Sequence, residues 1–132
     1  MVVPLSTPEL ADAVKLRKTA YDAGPKSEAW PYFQFVRGLA EFRESQFSNS
    51  VSILREVVSH RGNQYRTMQA GSVLAMAYHR LGQMDLAKGA LAEVERADAE
   101  LPKPGNIGET WNEWIIAQLL LREARGAMGS VQ

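Results

Sequence analysis

The sequence contains no cysteine among its 132 residues. That excludes disulfides, a thiol nucleophile and any metal site built on thiolates, and it leaves the compartment open. A surplus of charge is missing as well: fifteen Lys and Arg balance fifteen Asp and Glu, for a formal net charge of zero. The two signs are interspersed with no long block of either, which is the pattern of solvated helix faces. Nucleic acid and anionic membranes attract a net basic surface, so neither is expected as a partner. Long apolar runs are also absent. The longest, Trp114 to Leu121, is interrupted by Gln118 and falls far short of the roughly 20 residues of a membrane span. Met1 to Leu10 lacks the basic start and apolar stretch of a secretory signal. A cytoplasmic domain is the expectation, and a segment of a longer protein would look the same.

What is present is helical. Apolar residues make up 45% of the chain, enough to bury a core and to argue against general disorder. Glycine and proline gather at Gly24-Pro25, Gly62-Asn63 and Pro102 to Gly105. Between these breaks the apolar residues recur at helical spacing, without strand-like alternation. Six helices are expected, over Pro8 to Asp22, Glu28 to Glu44, Ser48 to His60, Gln64 to Leu81, Asp85 to Leu101 and Glu109 to Met128. Ser6-Thr-Pro-Glu9 carries a start signal for the first, and Gly82 a stop for the fourth. Val51, Leu54, Val57 and Val58 form the inward stripe of the third, and Leu86, Ala90, Leu91 and Val94 that of the fifth.

A search for chemistry returns little. The chain has no Gly-x-Gly-x-x-Gly, no phosphate-binding loop and no calcium loop. His60-Arg61-Gly62 lacks the aspartate of a kinase catalytic loop. Glu56 and His60 share a helical face, but two ligands make a poor metal site and a surface ion pair is the simpler reading. Glu41/Glu44 and Glu93/Glu95 read as solvated carboxylates, because a catalytic pair needs surroundings that separate the two pKa values. No catalytic residue, metal site or cofactor is expected.

The chain does repeat. A shift of 37 residues lays Gly38 on Ala75, Leu39 on Met76, Phe47 on Met84, Ser50 on Ala87, Leu54 on Leu91 and Val57 on Val94. Small residues meet small and large apolar residues meet large, as in copies of one helix–turn–helix unit that must stack to bury its apolar face. The second copy, Leu74-Ala75-x-x-Tyr78-x-x-x-Gly82-x-Met84-x-x-Ala87-x-x-x-Leu91-x-x-Val94, resembles the tetratricopeptide repeat. The first copy matches at Gly38, Phe47, Ser50, Leu54 and Val57. It departs at Arg37, Glu41 and Ser45, the last in place of the turn glycine. Its period also exceeds the family's roughly 34 residues.

The resemblance spans Trp30 to Ala99 and implies an all-α superhelix of antiparallel hairpins. The units would run over 30–60 and 67–100, with a further helix at each end. It assigns structural roles to Gly38, Phe47, Ser50, Leu54, Ala75, Tyr78, Gly82, Ala87 and Leu91. It implies a concave groove that takes a protein or peptide partner at Tyr32, Phe35, Leu39, Phe42, Met76 and His79, with Gln69 and Ser72 beside them. The family's clamp for a terminal carboxylate is absent, since Phe35, Leu39, Ser72 and Met76 stand at its positions. Two readings of the apolar stripe stay open. It is a docking groove rimmed by Arg37, Arg43, Arg66 and Arg80, or it is core covered by the last helix with Trp111, Trp114 and Ile115. The rival to a binding module is a structural spacer or a homodimerising segment of a longer protein. Tyr32 to Arg43, His79-Arg-Leu-Gly82 and Trp111 to Ala117 are similar to helical tails that follow kinase domains in large bacterial serine/threonine kinases, which implies a signalling context.

Overall fold

A computed structural model describes residues 30–60, 62–101 and 109–129. The helix expected over Pro8 to Asp22 lies outside them. Within them the chain is all-helical: α1 Trp30–Arg43, α2 Phe47–Ser59, α3 Gln64–Arg80, α4 Met84–Glu100 and α5 Glu109–Ala127. Each break has a local cause. Asn63 caps α3 by accepting a hydrogen bond on its side-chain oxygen from the Arg66 backbone N–H at 3.0 Å, satisfying a donor that the first helical turn leaves free.

The turns after α1 and α3 are built alike, 37 residues apart. Glu44 N–H donates to Ala40 and Leu81 N–H to Ala77. Ser45 N–H donates to Phe42 and Gly82 N–H to His79, while Gln46 N–H reaches Glu41 and Gln83 N–H reaches Tyr78. Both turns need a left-handed residue, and Ser45 (φ 63°) and Gly82 (φ 77°) supply it. Gly82 adopts this freely, whereas Ser45 carries a Cβ that the conformation disfavours. Ser45→Gly is therefore expected to stabilise the chain by about 0.5 kcal/mol, and Gly82→Ser to destabilise it by about 1 kcal/mol. Urea titration of the two variants checks the opposite signs.

The hairpins close on small residues. A Cβ added to Gly38 would stand 2.5 Å from Leu54 Cδ2, and one on Gly71 would stand 2.6 Å from Val94 Cγ2. Ser50 Oγ, buried, donates to the Gly38 carbonyl at 2.8 Å and ties α2 to α1. These close approaches place α1 against α2 and α3 against α4.

The core is centred on α3. Every residue from Met68 to Tyr78 is buried, so this helix is enclosed rather than amphipathic. It packs on α4, α2, α5 and, more lightly, α1. Its small side chains, Ala70, Gly71, Ser72, Ala75 and Ala77, let the neighbours come close. Leu54, Val57, Ala87, Leu91, Val94, Leu120 and Leu121 complete the cluster. The inward stripes hold with one correction. Leu86 is 53% exposed, because it points about 100° around α4 from Ala87, which is fully buried in the same turn. No helix among the described residues is long and apolar enough to cross a membrane.

Candidate functional site

The odd-numbered helices carry one face. α1 and α3 each start a hairpin, and α5 joins them by side-chain bridges at both ends. At the starting end, Arg66 of α3 pairs with Glu113 of α5 at 3.2 Å. The same guanidinium lies 4.6 Å from the Tyr32 ring centre and 5.7 Å from that of Phe35. Gln69 Nε2 adds hydrogen bonds to the Glu113 backbone carbonyl at 3.0 Å and carboxylate at 3.1 Å. At the far end, Arg43 of α1 grips Glu123 of α5 with both guanidinium nitrogens, Nη2 to Oε1 at 2.9 Å. This bidentate fork fixes geometry as well as charge.

The electrostatics follow from that contact. The hydrogen bond from Arg43 holds the Glu123 carboxyl below its usual value, with the positive charge adding to it and partial burial opposing. The Glu123 hydrogen bond likewise raises the Arg43 guanidinium. A lowered carboxyl stabilises the fold above its unfolded pKa and loses that contribution as pH falls through the folded value. Both groups are more than a third exposed as side chains, so solvent screening keeps the pair at about 0.5 kcal/mol. Glu123→Gln is expected to cost that amount at neutral pH and nothing once acid has titrated the native carboxyl. Melting curves of both proteins through the acid range measure the difference.

The sequence-derived groove residues divide on this face. Tyr32 is 44% exposed and lies under Arg66. Leu39 and Phe42 are partly buried against the core, with the Phe42 ring 5.5 Å from Phe47. His79 is half-buried. Phe35 and Met76 are core residues, 5% and 1% exposed, and a surface role for them is corrected. Phe35 joins the core cluster from α1, which packs on α2 and α3, and Met76 lies on the enclosed α3, along which α5 packs. The covering residues of α5 are Ala117, Leu120, Leu121 and Ala124, whereas Trp111 and Trp114 are half-buried and set against each other at 5.3 Å.

Under this cover the polar residues of α3 are incompletely satisfied. Gln69 and Ser72 are fully buried, yet Gln69 Oε1, Ser72 Oγ and His79 Nδ1 have no hydrogen-bond partner among the described residues. With Met76 these residues recur at three- and four-residue steps, which makes them one stripe of α3. On α5 the same periodicity puts Ile116 and Leu119 between Glu113 and Glu123. Both are exposed, at 41% and 56%.

Arg43 and Arg66, rim residues by sequence, find partners on α5 in Glu123 and Glu113 that the sequence reading does not assign. The signal was available, since residues 113, 116, 120 and 123 follow helical steps along one side of α5. His60 packs its ring 4.6 Å from Trp30, which gives it a structural setting. A separate cleft of about 580 Å³ opens between α3 and α4, over Met68, Gly71, Leu74 and Val94. At its mouth Glu93 and Arg96 pair with each other. Among the described residues no group of three or more His, Asp or Glu could hold a metal ion. No family model, curated protein or solved structure matches this chain.

Proposed function

We propose that the chain is a protein-interaction module, of the tetratricopeptide kind, that holds a helical segment against the α1–α3 face. The observation carrying this reading is that Gln69, Ser72 and Met76 lie buried on α3, with Gln69 hydrogen-bonded to Glu113 of α5, a helix that packs on α3 and touches α4 little. A face that seats one helix has the shape to seat another. A face pre-formed by packed helices lowers the ordering cost of capture. Tyr32, Leu39, Phe42 and His79 remain the contact residues, with Arg43 and Arg66 as anchors. Phe35 and Met76 form the floor. The kinase-tail resemblance suggests a signalling protein as the setting.

Selecting helical peptides from a displayed library against the full chain tests the reading. Specific binders that are lost on Arg43→Glu, with the melting temperature held, support it. Absence of any such binder rejects it.

A second reading, self-association as a spacer or dimerising segment, is favoured by the exposed Ile116 and Leu119. It predicts a dimer in sedimentation equilibrium that Leu119→Asp converts to monomer, with a stability change within about 0.5 kcal/mol, as usual for a surface site.

A further inference from the structure

The relation of α5 to the rest differs from that of the other described helices. α2 packs closely on the helix that follows it, α3, but α4 barely touches α5. α5 lies instead along α3, bridged to α1 as well, and the bridges are two ion pairs and a glutamine. Among the described residues two of its four buried side chains are alanines, Ala117 and Ala124, so each closes the approach while removing little apolar area from water. On α3, beneath it, Gln69 Oε1 and Ser72 Oγ have no partner among the described residues. Buried polar atoms without partners lower stability, and α5 leaves these unanswered.

We infer that α5 is the chain's own occupant of the α1–α3 groove, and that the partner displacing it is an acidic amphipathic helix. That helix carries two carboxylates ten residues apart, set to meet Arg66 and Arg43 as Glu113 and Glu123 do. On its buried face it carries hydroxyl or amide side chains that satisfy Gln69 and Ser72. The charge requirement is direct, because any helix seated there without acids leaves Arg66, with a side chain only 12% exposed, uncompensated. This inference rests on the groove reading above and adds to it an internal competitor.

The test uses the full chain and a fluorescent synthetic peptide of residues 109–128. Glu113→Lys with Glu123→Lys in the chain weakens its own α5 and exposes the groove. The native peptide is expected to bind this double variant about tenfold or more tighter than it binds the wild type, whose tethered helix competes at high effective concentration. The peptide with both glutamates changed to lysine is expected to bind the variant no better than the wild type. Equal binding of the native peptide to both chains, or to neither, with helix content retained, overturns self-occupancy. Should the variant lose its helix content, hydrogen exchange on the wild type decides. Faster exchange in α5 than in α3 and α4, accelerated by salt, supports displacement, and equal protection overturns it. If library-selected helices bind the wild type while the peptide fails, the groove reading survives and the internal competitor does not.

Discussion

Leu54→Ala is expected to destabilise the chain by about 3 kcal/mol and to lower its thermal midpoint by about 10 °C. Leu54 is completely buried. Its Cδ2 occupies the space above Gly38, where no side chain fits between α1 and α2. Truncation removes the transfer energy of three carbons and leaves a cavity that the Ser50 bond to the Gly38 carbonyl keeps from collapsing. The equivalent in the other hairpin, Leu91, is 7% exposed, so Leu91→Ala should cost less. Leu86→Ala serves as the control, within about 0.5 kcal/mol of wild type. Urea unfolding of the three variants checks the order, and a Leu54→Ala loss no larger than that of Leu86→Ala contradicts the packing.

The second large effect belongs to Arg66. Its guanidinium serves the Tyr32 ring, approaches Phe35 and pairs with Glu113. Arg66→Ala removes all of these and leaves Glu113, with a side chain only 25% exposed, beside a single glutamine. The expected cost is about 2 kcal/mol, below that of breaking a fully buried pair because water still reaches both partners. Arg66→Lys should recover only part of it, since an ammonium neither lies flat on an aromatic ring nor forks to a carboxylate. A double-mutant cycle with Glu113→Gln isolates the ion pair, with a coupling of about 1 kcal/mol expected. Zero coupling would assign the whole effect to the ring contacts.

Much of the fold was legible in the sequence because its breaks are chemical. Gly82 and Asn63 mark turns by residue type, and Leu54, Val57, Leu91 and Val94 mark faces by spacing. Ser45 was harder. Nothing in a serine announces a positive φ, and only the 37-residue register with Gly82 pointed to that turn. The placement of α5 was not legible. Its apolar residues, from Trp111 to Leu121, surround the helix, so periodicity does not say which side meets α3. That ambiguity left the stripe holding Phe35 and Met76 open between groove and core, since the answer depends on what lies over it. Leu86 failed differently, because it sits on the flank of the face centred on Ala87, Leu91 and Val94, where apolar spacing alone does not separate edge from core.

The enclosure of α3 has a consequence for how the molecule comes apart. In an extended array each unit leans only on its neighbours, and the ends can melt while the middle persists. Among the described residues four helices lean on a single one, so release of any of them uncovers part of α3. Denaturation should be one sharp event, with calorimetric and van't Hoff enthalpies in agreement, and the amides of Met68 to Tyr78 should be the last to exchange with solvent.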